Sequence, residues 1–161
     1  MRHRILAFIT PLCIVAATAA PVPAAPTAVV PCLVGTWTLT SSTGATEGAL
    51  VGVKMTIAAG GVATLDYTHA RPIVEGGMDT TFRGHSTVAI ATSPGKPPAI
   101  SVKSEHVRLT EANAIVGTAP YRTHDPVWDY SEDYTCSTHT LKMRSGGTGG
   151  GLLNGIAIFR R

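Results

Sequence analysis

Apolar side chains recur at every second position along most of this chain, and this period constrains its fold more than any other feature. Residues 51–57 alternate Val, Val, Met and Ile with Gly, Lys and Thr. Residues 79–91 place five residues on one face: Phe82, Gly84, Ser86, Val88 and Ile90. Such alternation is typical of a β-strand with one buried face. Because no stretch of twelve residues shows the helical period, the sequence predicts an all-β protein.

About nine such segments are separated by turns rich in glycine and proline. Gly60-Gly61 and Glu75-Gly76-Gly77 predict tight turns, and residues 93–98 predict a loop. Strands with one apolar face bury it either by closing into a barrel or by packing as two sheets. The connections are local, so we predict an antiparallel up-and-down β-barrel of about 8–9 strands, with a β-sandwich as the alternative.

The later segments follow the same pattern with one interruption. Ile100 and Val102 share one phase of the alternation, whereas Val107 and Leu109 share the opposite phase. A β-bulge near Glu105-His106 would bring both pairs to the same face.

Four further extended segments complete the predicted barrel. Residues 114–119 predict a short strand, and residues 130–136 and 140–145 predict a hairpin. A glycine-rich run then leads to a last strand over residues 152–160.

The N-terminal residues have the composition of an export signal. Met1-Arg2-His3-Arg4 is basic, residues 5–20 are apolar and uncharged, and small residues follow. This order is typical of a cleaved secretory signal peptide, with a membrane anchor as the alternative. We predict a signal peptide at residues 1–24, a flexible lead-in at residues 25–31 and one barrel domain at residues 32–161. The mature protein is then secreted or associated with the cell envelope, with no membrane span.

Cysteine usage agrees with export. Cys13 lies in the predicted signal, which leaves Cys32 and Cys136 in an oxidising compartment. These two residues predict a disulfide that closes a loop of about 105 residues, and two unrelated buried thiols are the alternative.

The charge pattern excludes a nucleic-acid partner. Without the predicted signal, the chain carries 11 Lys and Arg against 10 Asp and Glu. The basic residues are scattered singly, apart from the pair Arg160-Arg161. A nucleic-acid-binding protein normally shows a basic stripe or cluster, so we expect no such partner.

The sequence contains no motif that predicts catalysis or metal binding. Gly84-His85-Ser86 matches the start of a serine nucleophile elbow, but the second glycine is missing and the segment lies in mid-strand. No metal-ligand spacing occurs among the five histidines that follow the signal: His69, His85, His106, His124 and His139. We therefore predict a protein that is not an enzyme, with no catalytic residue, metal or cofactor.

The first predicted strand contains the tripeptide Gly35-Thr36-Trp37. A Gly-x-Trp in the first strand of a small secreted barrel resembles the signature of lipocalins within the calycin superfamily. The resemblance implies that Trp37 closes one end of the barrel and that an arginine from the last strand packs over it by a cation–π contact. Arg160 or Arg161 would take this role, and we assign it to Arg160.

A second similarity lies near the C-terminus. The spacing of Cys32 and Cys136, with Tyr134-Thr135-Cys136 in a hairpin, is similar to that of lipocalin-like secreted proteins of bacteria. The resemblance implies a bacterial exported protein of this kind.

Small barrels have an interior wide enough for side chains or for one small ligand. We therefore expect a non-enzymatic binding protein that holds a small apolar ligand in the barrel mouth. Tyr67 and His69 would orient the ligand by polar contacts. By the phase of the alternation, the predicted lining residues are Met55, Leu65, Tyr67, His69, Phe82 and Ser86.

The alternative is a protein-interaction or inhibitor module with no internal ligand. Its loops would then carry the function, at residues 43–48, 92–98 and 120–129. Tyr121 and Trp128 would serve as aromatic anchors.

Overall fold

The computed structural model describes residues 29–44, 47–95, 98–123, 126–127, 132–144 and 155–161, and this part of the chain is almost entirely β-structure. A short 3-10 helix, Pro31–Leu33, precedes the first strand. The ten strands of the described residues are β1 (Gly35–Gly44), β2 (Lys54–Ile57), β3 (Val62–Asp66), β4 (Ile73–Glu75), β5 (Met78–Ser93), β6 (Ala99–Asn113), β7 (Gly117–Tyr121), β8 (Glu132–Cys136), β9 (Thr140–Arg144) and β10 (Gly155–Arg160).

Eight strands close into an antiparallel barrel. Their order is β1, β2, β3, β5, β6, β8, β9 and β10, and β10 pairs back with β1. Strands that are neighbours in the ring are also consecutive along the chain, apart from the intervening β4 and β7. The barrel therefore has up-and-down topology. The predicted β-barrel is confirmed, and the β-sandwich alternative is wrong.

The two remaining strands lie outside the ring. β5 and β6 have 16 and 15 residues, and β5 continues past the end of β3. There β4 pairs with β5, and β7 pairs with β6. We call the resulting four-stranded extension the wing and define it as residues 73–82 and 109–121.

The predicted bulge is present in β6. Thr87 of β5 pairs with His106, but the next residue, Val88, pairs with Ser104, so Glu105 is the extra residue. Val107 and Ile100 are both buried as a result.

The short strand predicted over residues 114–119 is wrong in its position. The chain turns at residues 114–116, and β7 begins at Gly117. Asn113 fixes this turn, because its Oδ1 accepts the N–H groups of Ile115 and Val116, each at 2.9 Å. An asparagine side chain that binds the backbone in this way ends a strand and starts a turn.

The Cys32–Cys136 disulfide is confirmed, with the two Cα atoms 6.0 Å apart. It joins the 3-10 helix to the end of β8. Disulfides persist in oxidising compartments outside the cytoplasm. Among the described residues, no helix has the length and apolarity needed to cross a bilayer. Cys13 and the predicted signal lie outside the described residues.

The core fills the barrel and extends to both of its ends. Apolar burial of this kind is the main favourable contribution to folding. The largest side chains that are completely buried are Trp37, Tyr67, Phe159, Leu33, Leu39, Leu50, Met55, Ile57, Leu65, Ile100 and Leu141.

Candidate functional site

Five of the six predicted lining residues are buried in the protein core. Met55 of β2 is the register partner of Leu65 in β3, and Leu65 is the partner of Ser86 in β5. Tyr67 and Phe82 lie buried at the end of the barrel from which the wing extends. The alternation thus placed these five side chains on the correct face.

His69 is the exception, and its predicted inward phase is wrong. β3 ends at Asp66, and the chain then forms a turn in which Ala70 N–H donates to the Tyr67 carbonyl at 3.1 Å. The period of two holds only within a strand, so the turn leaves His69 exposed.

The five interior residues are packed against other side chains and not against a cavity. Met55, Leu65 and Tyr67 have 0% relative exposure, and Ser86 and Phe82 have 1% and 3%. A side chain that lined a cavity large enough for water would keep accessible surface toward that cavity. The interior at these residues therefore has no room for a small molecule in this structure.

The 3-10 helix and Trp37 close one end of the barrel. The Trp37 Nε1–H donates to the Leu33 carbonyl at 2.8 Å, and both side chains are completely buried. The Arg161 guanidinium lies 4.0 Å from the centre of the Trp37 ring. It also donates to the carbonyls of Cys32 at 2.8 Å and Val34 at 2.6 Å. These contacts fix the helix against the barrel end.

The assignment of this role to Arg160 is wrong. Arg160 follows the buried Phe159 and points outward, where its Nη1 donates to Thr140 Oγ1 at 2.7 Å. Arg161, the first residue after β10, packs over the Trp37 ring instead. Gly35 gives it space, because a Cβ there would lie 3.2 Å from the Arg161 Cζ.

We expect Arg161→Met to lower the free energy of unfolding by about 2 kcal/mol, because it removes the cation–π contact and two charged hydrogen bonds. Arg160→Met is the matched control, with an expected loss below about 0.5 kcal/mol for a surface hydrogen bond. Urea unfolding followed by tryptophan fluorescence measures both. Equal losses in the two variants would contradict the assignment of the capping role to Arg161.

The loop between β1 and β2 closes the other end. It buries Ala49, Leu50 and Val53, and the Ser42 Oγ–H donates to the Ala49 carbonyl at 2.8 Å. Leu50 has φ +57°, a left-handed conformation that is rare for a residue with a branched side chain. Leu50 was not predicted to be buried, since it lies between the predicted loop at residues 43–48 and the alternating segment at residues 51–57.

A second segment covers Tyr67 at this end. Pro126 and Val127 are buried, and the Val127 N–H donates to the Tyr67 hydroxyl at 3.4 Å. The Tyr67 hydroxyl is therefore hydrogen-bonded to a backbone N–H group of the protein. Because Tyr67 is fully enclosed, its hydroxyl presents no surface to a molecule in solution.

A polar cluster lies on the outer surface where β3 ends. Asp66 Oδ1 accepts the Thr68 hydroxyl at 2.6 Å and the Thr68 N–H at 2.8 Å. His85 Nδ1 lies 3.8 Å from the same oxygen. The Thr68 hydrogen bonds, with smaller contributions from His85 and His69, lower the pKa of Asp66. This cluster stabilises a turn and has no nucleophile–base arrangement.

The lowered pKa of Asp66 makes part of the stability depend on pH. A carboxyl with a lower pKa in the folded state stabilises the fold above its unfolded-state pKa, and this contribution is lost as the pH falls through the folded-state value. The Asp66 side chain is 36% exposed, so solvent screens this contribution. Asp66→Asn should therefore reduce stability by less than about 1 kcal/mol at pH 7, and the difference from wild type should shrink below about pH 4. Thermal unfolding at several pH values measures this, with the exposed Asp79→Asn as control. A difference that is constant with pH would contradict it.

The described residues contain no group of three or more His, Cys, Asp or Glu side chains that could hold a metal ion. Ser86 is buried in mid-strand and not at a strand-to-helix turn. Burial raises the pKa of Tyr134.

Among the described residues, the outer surface has a depression and a groove. A depression of about 170 Å³ lies over β8 and β9 and is lined by Asp133, Tyr134, Thr135, Lys142 and Arg144. An open groove lies between the tips of the β4–β5 and β6–β7 hairpins of the wing. Beside this groove, Ile115 is 79% exposed.

The predicted aromatic anchors do not form a free surface in the part that the structure describes. Tyr121 is half-buried in β7 and packs edge-on against Phe82, with ring centres 5.1 Å apart. Trp128 lies outside the described residues, as do parts of the three predicted loops at residues 43–48, 92–98 and 120–129.

Comparison with known proteins gave no match to a family model, a curated protein or a solved structure.

Proposed function

We propose that this protein is a non-enzymatic interaction module that acts through its outer surface, with the barrel as a solid scaffold. The single observation that carries this proposal is the filled interior. Met55, Leu65 and Tyr67 have no accessible surface, and Leu33 and Leu50 are completely buried at opposite ends. A ligand in the barrel would have to displace core side chains. The ligand-binding hypothesis therefore remains a prediction that this geometry does not favour.

We further propose that the protein is an exported, lipocalin-like member of the calycin superfamily from a bacterium, secreted or held in the cell envelope after removal of residues 1–24. The closed eight-stranded barrel, the Trp37–Arg161 stack and the Cys32–Cys136 bridge support this placement. Intact mass of the exported material would test the cleavage site.

Native mass spectrometry of protein purified from its own secreting host tests the proposed function. We expect the mass of the polypeptide with one disulfide and no bound small molecule. A stoichiometric small molecule that survives desalting would instead support the ligand-binding hypothesis.

Met55→Ala provides the positive control for this experiment. It removes most of a completely buried side chain and should leave an apolar cavity. Dry apolar cavities also bind xenon, which is smaller than benzene, so xenon should bind the variant and not the wild type. Xenon binding by the wild type would contradict the filled interior.

A further inference from the structure

The wing has a charge pattern unlike the rest of the molecule. Residues 73–82 and 109–121 contain Glu75, Asp79 and Glu111, but no Lys, Arg or His. Outside the wing and the predicted signal, the chain has eleven Lys and Arg against seven Asp and Glu. The wing is therefore acidic, with two arginines at its base: Arg83, the register partner of Thr110, and Arg122, which follows β7.

The tip of the wing presents apolar side chains to solvent. Ile115 and Val116 are 79% and 52% exposed, and Val74 in β4 is 59% exposed. Asn113 holds the tip in place through its two backbone hydrogen bonds and a 2.8 Å bond from its Nδ2 to Glu111. A fixed apolar tip loses little conformational entropy when it is buried by a partner.

A surface of complementary character lies on the outside of β9 and β10. Lys142 and Arg144 are exposed on β9, while Ile156 and Ile158 are half-exposed on β10. Arg144 is the register partner of Ile156. Lys142 is the register partner of Ile158. We call these four residues the β9–β10 face, an apolar strip with a cationic border.

Among the described residues, the Asp133 carboxylate adjoins this face. Asp133 of β8 is the register partner of Arg144 and lines the depression beside it. Arg160, exposed on β10, adds a further cation toward the other end of the strip. The surface therefore keeps a positive balance where an acidic partner would approach.

We propose that the wing of one molecule docks on the β9–β10 face of a second copy of this chain. This inference rests on the proposed function and names the partner. The apolar tip would cover Ile156 and Ile158, and the carboxylates of the wing would face Lys142 and Arg144. Both halves of the contact are thus present on every molecule.

A molecule cannot make this contact with itself. In the eight-strand ring, β8 and β9 separate β6 from β10, and β3, β2 and β1 separate β5 from β10. The wing extends β5 and β6, so β10 lies on the opposite wall of the barrel. The contact must therefore form between copies.

The contact joins the wing of one molecule to the β9–β10 face of another. A dimer therefore keeps one free wing and one free face, so further copies can add head to tail. The contact is formed by side chains and not by pairing of β-strands, because the outer strands of the wing are poor templates for sheet extension. β4 has three residues, and β7 contains Pro120, which has no N–H to donate.

Sedimentation velocity of the full-length exported protein tests the proposal. We expect association with a dissociation constant on the order of 10–100 µM at low salt, which is typical of a small interface, and weaker association at 0.5 M NaCl. Ile115→Ser/Val116→Ser removes the tip, and Lys142→Glu/Arg144→Glu reverses the charge of the face. Each double variant should weaken association at least about tenfold.

Mixing the two variants gives the decisive result. The tip variant keeps an intact face and the face variant keeps an intact tip, so an equimolar mixture should form a one-to-one dimer that grows no further. Val62→Ser, which removes an exposed valine of β3, should associate as wild type does. Circular dichroism establishes that every variant is folded.

Three outcomes would overturn the proposal: a wild-type protein that stays monomeric at millimolar concentration, a mixture that stays monomeric, or a Val62→Ser variant that loses association equally. None of these three outcomes would reveal a bound small molecule by native mass spectrometry. Failure of this inference is therefore distinguishable from failure of the proposed function.

Discussion

Removal of the Cys32–Cys136 bridge should lower the free energy of unfolding by about 4–5 kcal/mol. The bridge closes a loop with a sequence separation of 104 residues, so it restricts the unfolded chain strongly. It also fixes the 3-10 helix whose Leu33 carbonyl accepts the Trp37 indole N–H and whose Cys32 carbonyl accepts Arg161. Loss of the bridge should therefore loosen the same end of the barrel that these contacts close.

Urea unfolding with and without dithiothreitol measures this effect. The Cys32→Ala/Cys136→Ala double variant is the matched control, because its stability should not respond to the reductant. Wild-type protein in dithiothreitol should be about as stable as the double variant. If reduction left the unfolding midpoint of the wild type unchanged, the structural role of the bridge would be wrong.

Gly84→Ala should lower the free energy of unfolding by about 3–5 kcal/mol. Gly84 has φ +114°, a backbone conformation that residues with a Cβ rarely adopt. An added Cβ would also collide with the carbonyl oxygen of Arg108 in the neighbouring strand β6. The Gly84 carbonyl accepts the Tyr67 N–H at 2.9 Å, so a shift of this backbone would disturb the barrel end.

Gly76→Ala separates the two contributions. Gly76 also has a positive φ, +59°, but an added Cβ would have no neighbour within 4 Å. We expect a loss of about 1–2 kcal/mol from the backbone conformation alone. Chemical denaturation of both variants gives the difference, and equal losses would mean that the close approach of β5 and β6 is unimportant.

The interior of the candidate site was predictable because local periodicity decides which face of a strand is buried. Met55, Leu65, Phe82 and Ser86 lie within strands, so their phase gave their direction. Tyr67 follows Asp66, the last residue of β3, and is still buried, whereas His69 lies in the turn and is exposed. The point at which a strand ends depends on its partners, and a single sequence does not contain that information.

The tip of the wing was missed for a related reason. Ile115 and Val116 are adjacent apolar residues, which favoured a strand over residues 114–119. The overlooked signal was Asn113 with Gly117, a pair typical of a turn. Tertiary structure decided the outcome, because the Asn113 side chain binds the backbone of the turn and places both apolar residues in solvent.

The sequence alone also did not decide which of Arg160 and Arg161 packs over Trp37. The resemblance indicated an arginine over Trp37, but the choice between two neighbours depends on the exact phase at which β10 ends. Phe159 is buried, so Arg160 points outward, whereas Arg161 lies after the end of β10 and packs over Trp37.

The sequence by itself determined the all-β class and favoured the barrel, the bulge near Glu105-His106 and the disulfide over their alternatives. Alternation and cysteine count act along the chain and do not depend on a particular partner. Only the tertiary structure decided that the ends are closed by Leu33 and Leu50, that the interior is filled, and that β5 and β6 extend into the wing. These features arise from contacts between residues far apart in the chain. Their free energy depends on how closely the strands approach one another, which no local pattern specifies.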